Sequence, residues 1–420
     1  MRSPFLNGRV GAGSARQRLR QKPPSPPFSL PQLLQPVGVD AFFSRYYERE
    51  ALVIQRERPG YYDGLLSLQT LDDLIGGTAL SSDEIIVADH SRNIQPADYQ
   101  RDDESVDAVR VHRLFDEGAT ITLRQLQRRV PALAKLCRSV EQRLSCACQT
   151  NVYFTPANAQ GFEIHHDTHD VFILQLAGSK RWQTYEPGLR LPLPGQRYFW
   201  NTLSAGPPVS AFTLNPGDLF YCPRGIPHDA QSAQEASVHI SLGARVSTWA
   251  ELMVEILADV ALRDPAFRAS LPPDFASRDV PAQVMDTKLR DLYARLQQQA
   301  RPHHVLGQLA ERFVDDHPAQ LSGQAATLRQ AVSLTLESTV GVRPGLIYRI
   351  FEHRGKVTLL CNSRQIAMPG YAAPALSFAL TSESFRIRNL PGSLTDSGKI
   401  VLVRRLMQEG AIISVTAERG

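Results

Sequence analysis

The 420-residue chain lacks any run of 18 apolar residues, which excludes a membrane-spanning helix. It also lacks a Cys-x-x-Cys pair. Its five cysteines (Cys137, Cys146, Cys148, Cys222, Cys361) include one close pair, Cys146-Ala-Cys148, with no matching cluster elsewhere. That usage argues against a disulfide framework, and we read all five as reduced thiols in a reducing, cytoplasmic compartment. Acid is missing from the first 22 residues, which carry Arg2, Arg9, Arg16, Arg18, Arg20 and Lys22. No apolar stretch of about 7–15 residues accompanies those charges, so the segment is not a secretory signal. Its composition, ending in Lys22-Pro23-Pro24-Ser25-Pro26-Pro27, reads as a solvated arm; an organellar transit peptide is the alternative. No repeat of about 20–50 residues is visible.

What remains is globular. Hydrophobic residues make up 43% and charged residues 21%. At about 100–200 residues per domain, the length predicts roughly two to four domains. The net charge of +4 comes from 46 basic and 42 acidic residues; removing the six basic residues of the arm leaves the body at −2. A basic footprint for nucleic acid over the whole body is therefore not supported.

Residues 34–246 read as one domain. Phe42–Ile54 runs from an amphipathic helix into an apolar strand, and Leu123–Leu144 has helical spacing. Short β-rich runs follow at Asn151–Thr155, Val171–Leu176, Arg181–Tyr185, Ala211–Leu214, Leu219–Cys222 and Ser237–Leu242. Punctuated by Gly and Pro, they predict a sandwich or barrel. Asn215-Pro216-Gly217-Asp218 is a tight turn. Residues 247–338 are helical in period, opening on a Thr248/Glu251 capping box, with further helices at 281–302, 303–315 and 323–337. Residues 339–420 mix helices at 375–381 and 397–409 with strands at 356–361, 385–388 and 411–415, a winged-helix-like pattern. Residues 1–33 are assigned to the arm.

The chemistry concentrates in His165-His166-Asp167-Thr168-His169-Asp170. On a strand, residues i and i+2 share a face, so His165 and Asp167 would offer a nitrogen and an oxygen to one metal. The third ligand is expected from His228, at the end of Pro223-Arg224-Gly225-Ile226-Pro227-His228, 61 residues after Asp167. Two histidines and a carboxylate on one face leave open positions and suit non-haem Fe(II); a structural zinc site would be closed and richer in cysteine. His166 is expected to point away from the metal, and His169 and Asp170 to be surface or supporting groups. His239 either faces the cavity or, the preferred reading, is a hydrogen-bonded core histidine. Lys180 is either the cation for a 2-oxoacid's distal carboxylate or a surface strand lysine beside Arg181.

Two segments carry a resemblance. One runs from Asn151-Val-Tyr153-Phe-Thr155-Pro156 through Gln160-Gly161-Phe162, His165-His166-Asp167 and Val171–Leu176 to Gly178-x-Lys180-Arg181-Trp182. The other is Gly217-Asp218-Leu219-Phe220-Tyr221-Cys222-Pro223-Arg224-Gly225-Ile226-Pro227-His228. Residues 145–245 resemble the JmjC-type ribosomal oxygenases, Fe(II)- and 2-oxoglutarate-dependent protein hydroxylases of the cupin superfamily. The resemblance implies an α+β chain: a double-stranded β-helix core with an N-terminal mixed region, a helical dimerisation region and a C-terminal winged helix. It implies iron at His165, Asp167 and His228, and 2-oxoglutarate held by Lys180, with Asn151, Tyr153 and Ser241 in the same pocket. The implied substrate is an Arg or His side chain of a ribosomal protein, and the implied assembly a homodimer. A small-molecule hydroxylase and a non-catalytic metal-binding cupin are the alternatives. His166 departs from the family, which tends to have Tyr or Leu at that position.

Overall fold

A computed structural model describes residues 28–77, 80–196 and 205–415. Most of the arm, residues 1–27, lies outside the described residues. Its assigned end at residue 33 is corrected: Leu30–Leu33 form a helical turn whose Leu30 and Leu33, with Leu34, are buried in the main core. The Leu30 amide donates to Ser139 Oγ at 3.0 Å, so a contact 109 residues away, invisible to local composition, ties this segment down.

Among the described residues, ten strands build the first domain: β1 (Leu52–Ile54), β2 (Ile85–Ala88), β3 (Thr120–Leu123), β4 (Ala147–Thr155), β5 (Asp170–Ala177), β6 (Lys180–Tyr185), β7 (Pro208–Leu214), β8 (Leu219–Cys222), β9 (His228–Ser232) and β10 (Ser237–Arg245). Seven form one antiparallel sheet in the order β1-β8-β5-β10-β4-β3-β2, and three form a second in the order β7-β6-β9. The two sheets give the expected JmjC/cupin architecture. Side-chain alternation along β5 explains how it closes. Val171 and Ile173 meet Trp182, Leu214, Phe220 and Cys222 in a small core that joins the two sheets. Phe172 and Leu174 point the other way, into the main core with Leu133, Leu136 and Val140 of the helix Pro131–Leu144. Buried on both faces, β5 is an almost unbroken apolar run.

Three local expectations change. Leu123 ends β3, and the helix begins only at Pro131, whose missing N–H suits a first turn. Phe42–Tyr46 is a single π-helical turn. His228–Ser232, unassigned from sequence, is a strand because β6 pairs with it from Lys180↔Ser232 to Thr184↔His228; its own composition, His-Asp-Ala-Gln-Ser, carries no strand signal.

Helices follow at Trp249–Arg263, Ala282–Gln299, Pro302–Asp316 and Gln324–Ala331. The Thr248/Glu251 capping box is present, with the Thr248 amide donating to Glu251 at 2.7 Å. The last predicted helix stops at Ala331 rather than 337. Beyond it lie β11 (Thr339–Val342), β12 (Arg349–His353), β13 (Lys356–Cys361), β14 (Arg364–Pro369), β15 (Phe385–Arg386) and β16 (Ile412–Ser414). They form two three-stranded sheets, β15-β11-β16 and β12-β13-β14, packed with the helices Ala373–Thr381 and Asp396–Gln408 around a second core. No helix among the described residues is long and apolar enough to cross a membrane.

Candidate metal centre

His165, Asp167 and His228 converge: one ligand atom from each lies within 4.8 Å of the others. The reason differs from the one read in the sequence. Residues 161–169 are not a regular strand, so period-two alternation does not align His165 with Asp167. A lone antiparallel bridge does the work. The His165 amide donates to the His228 carbonyl at 3.1 Å, and the His228 amide returns the bond at 2.8 Å. The Gly225 amide then holds the Asp167 carbonyl at 3.0 Å. Gly225 sits at φ +91°, and a Cβ there would lie 2.5 Å from the Leu189 carbonyl oxygen, so this turn requires glycine.

The hydrogen bonds also select the tautomers. His165 Nδ1 donates to the Glu163 carbonyl at 2.8 Å, and His228 Nδ1 donates to the Ile226 carbonyl at 3.0 Å. Each ring therefore turns a bare Nε2 toward Asp167, and His228 Nε2 lies 3.7 Å from its carboxylate. Burial lowers the His228 pKa to about 4, keeping the ring neutral and ready to bind a cation. Burial pushes Asp167 upward, but His165 and His228 outweigh it and hold the carboxyl below its usual range. Two imidazoles and one carboxylate, open on one side, fit a divalent non-haem iron.

Two cavities meet at the triad. The deeper one, about 280 Å³, is lined by Asn151, Tyr153, Lys180, Trp182, His239 and Ser241. Lys180 is 4% exposed and donates to Thr155 Oγ1 at 3.1 Å. No carboxylate among the described residues pairs with it within 4.0 Å. Burial alone lowers its pKa from 10.5 to about 7. The surface-lysine alternative is thereby removed; its neighbour Arg181 is the exposed residue. Asn151 Oδ1 accepts the Gln125 amide at 3.1 Å. Tyr153 stacks on His239, centroids 4.7 Å apart, and burial pushes its hydroxyl up to about 12.

Two of these lining residues have unpartnered ring nitrogens. Trp182 Nε1 and His239 Nδ1 are buried polar atoms without a hydrogen-bond partner, and the two rings lie 5.6 Å apart. The reading of His239 as a hydrogen-bonded core residue is thus corrected. Trp182 was legible in principle, since it sits two residues after Lys180 on β6 and shares its face. A buried lysine without a counter-ion and two buried ring nitrogens without partners describe a pocket shaped for a small anion.

The outer cavity, about 700 Å³, is lined by Cys148, Gln149, His166, Thr168, His169 and Arg245, among others. His166 is buried and donates through Nε2 to the Gln196 carbonyl at 3.1 Å. His169 packs against Gly243, where a Cβ would meet its ring at 2.6 Å. Asp170 is no surface group. It is fully buried, accepts the Arg224 amide at 2.9 Å and the Tyr221 hydroxyl at 3.1 Å, and anchors the turn that carries His228.

This architecture is that of a known class. Residues 122–252 match the JmjC domain family, so the chain carries a JmjC domain. Its homologues are ribosomal oxygenases. Ribosomal oxygenase 1 of Rattus norvegicus is 30% identical over 306 residues, covering 68% of this chain and 50% of that protein. Ribosomal oxygenase 2 of Mus musculus is 31% identical over 260 residues, 59% of this chain and 55% of that protein. The bifunctional lysine-specific demethylase and histidyl-hydroxylase NO66 of Drosophila yakuba is 31% identical over 252 residues, 57% of this chain and 36% of that protein. The chain thus spans about half or less of the length of these relatives. In fold it is similar to E. coli YcfD, at TM-score 0.52 and 20% identity over 89% of this chain and 97% of that one. A YcfD structure, described as a ribosomal oxygenase in complex with cobalt and 2-oxoglutarate, superposes at TM-score 0.50 with 19% identity.

Proposed function

We propose that the chain is an Fe(II)- and 2-oxoglutarate-dependent hydroxylase of a protein side chain, acting on a ribosomal protein. One observation carries the reading: a two-histidine, one-carboxylate cluster opens directly onto a pocket with a buried, unpaired lysine. His165, Asp167 and His228 would hold the iron, which supplies oxygen activation coupled to decarboxylation of 2-oxoglutarate to succinate. Lys180 binds the distal carboxylate of the co-substrate, with Trp182 and His239 as further donors. Asn151, Tyr153 and Ser241 shape the same pocket. The apolar walls of Val171, Ile173 and Trp182 exclude water from the reacting atoms.

The outer cavity receives the target side chain. Apart from Asp167, no carboxylate lines its described walls, and Arg245 adds a positive charge. A guanidinium would sit there unpaired beside a dication, whereas a neutral imidazole finds Gln149, Thr168 and His169 as hydrogen-bonding neighbours. Histidine is therefore preferred to arginine. The helix Trp249–Arg263 leaves Trp249, Met253, Val254 and Leu262 exposed, and Ala282–Gln299 buries no residue within one protomer. That support favours a homodimer closed through these helices, with residues 339–420 as a winged-helix-like module.

The test is an anaerobic titration of the metal-free protein with Fe(II) and then 2-oxoglutarate. A metal-to-ligand charge-transfer band that needs both additions, and is missing in Asp167→Ala, supports the oxygenase. Metal binding without the band leaves a non-catalytic cupin. Ribosomal proteins incubated with the active enzyme should gain one oxygen on a histidine; gain on an arginine refutes the charge argument. Sedimentation should give a dimer that Trp249→Glu weakens.

A further inference from the structure

The molecule holds a second reactive cluster that the proposed oxygenase chemistry does not use. Cys146 Sγ and Cys148 Sγ lie 3.6 Å apart. Both are free thiols; Cys146 is buried, and Cys148 faces the outer cavity beside the triad. In a straight strand, positions i and i+2 are about 6.8 Å apart, at the upper limit for a disulfide. This pair is not in a straight strand. Ser145 ends the helix Pro131–Leu144 in the left-handed conformation, at φ +48°, and the chain bends at Cys146 before β4 starts at Ala147.

We propose that Cys146 and Cys148 form a redox-active dithiol, oxidised by hydroperoxides to a disulfide that reshapes the wall of the outer cavity. The hydrogen bond to Cys146, with burial, pushes the Cys148 thiol well above its usual pKa. In the first step one sulfur attacks hydrogen peroxide. The O–O bond breaks, a sulfenic acid forms, and one water leaves. In the second, the other sulfur displaces that hydroxyl as a second water and the S–S bond forms. Each sulfur loses one electron, the two peroxide oxygens gain them, and both thiol protons end in the waters.

The sulfurs must then approach from 3.6 Å to about 2.05 Å. That movement falls on Ala147, which pairs with Arg245, and on Cys148, which pairs with Ala244. It also pulls the Cys148 amide, which donates to Glu141 Oε1 at 3.3 Å. Gln149 and Arg245 belong to the same cavity wall and move with it. Asn151 and Tyr153 lie further along β4, beyond the disturbed pairs.

The test uses the 420-residue chain in metal-free form, so that no iron-driven oxidation intervenes. Hydrogen peroxide is added, free thiols are alkylated with iodoacetamide, and the protein is digested with trypsin. The fragment 144–180 contains Cys146 and Cys148 and no other cysteine, whereas Cys137 falls in 136–138. The expected fragment is two hydrogens lighter, unalkylated, and restored by dithiothreitol. Hydrogen exchange at residues 147–149 and 243–245 should rise on oxidation and fall on reduction. Cys148→Ser should show neither the link nor the change in exchange. Full alkylation of both cysteines after peroxide overturns the proposal, as does a link to the Cys137 fragment. A link that leaves exchange unchanged overturns the effect on the cavity, and a peroxide-induced rise in Cys148→Ser does the same.

Discussion

Replacing Lys180 by methionine separates a ligand-binding lysine from a structural one. Lys180 is 4% exposed, and its amine's hydrogen bond goes to a hydroxyl. Burial lowers its pKa from 10.5 to about 7, so the folded state prefers the neutral amine. Between those two values the unfolded chain binds more protons than the folded one, and stability therefore rises with pH across that window. At about 1.36 kcal/mol per pH unit, the full penalty is about 5 kcal/mol, and it applies below pH ~7. The metal-free Lys180→Met protein should thus be at least as stable as the parent at pH 7, and its stability should lose the rise above that pH. Co-substrate binding should respond in the opposite sense. Removing one partner of a buried charge pair costs ~2–5 kcal/mol, or roughly 30- to 5000-fold in Kd. In the parent, binding the carboxylate recruits a proton to Lys180, so affinity should fall about tenfold per pH unit above pH ~7. Calorimetric titration of the cobalt-loaded protein with 2-oxoglutarate, in buffers of different ionisation enthalpy, reads both the Kd and the proton uptake. A Lys180→Met variant that binds 2-oxoglutarate within threefold of the parent, or whose apo form is destabilised, refutes the argument.

Three other outcomes are expected. Asp167→Ala should lose the visible absorption of bound Co(II), because two imidazoles remain without the carboxylate, while its apo melting temperature stays near that of the parent. Gly225→Ala forces a side chain into φ +91° and against the Leu189 carbonyl, so denaturant melts should show a loss of at least ~1–3 kcal/mol. His239→Phe keeps the stack on Tyr153 but removes the unpartnered ring nitrogen, and should weaken 2-oxoglutarate by roughly 10- to 150-fold with Co(II) binding unchanged.

The site was more legible than its construction. Residue types and order pointed to His165, Asp167 and His228, yet strand alternation was the wrong reason, because a backbone bridge aligns them. That bridge links positions 63 apart and leaves no local pattern. Lys180 could be placed near the metal from its spacing, but whether it was buried depended on the opposing sheet. His239 looked like a core residue because burial is common for a strand histidine; only its unpaired Nδ1 shows which way it faces. Errors in the fold share that origin. Leu30–Leu34 follow a proline-rich stretch that reads as solvated, and β9 has a polar sequence that becomes a strand through β6. Long, strongly periodic segments such as β5 and the helix opening at Thr248 needed no such outside help.

The two backbone hydrogen bonds between His165 and His228 bear on how a metal at this site would be loaded and lost. In many metal sites the ion itself closes the loop between distant ligands, and the entropy of that closure is subtracted from its affinity. Here two backbone hydrogen bonds close the loop without help from an ion, and carbonyls accept from both rings. Chelation should therefore strip the metal without unfolding the domain, and the returning ion should meet a finished socket. Metal occupancy should then follow metal supply as a simple, reversible equilibrium, independent of refolding.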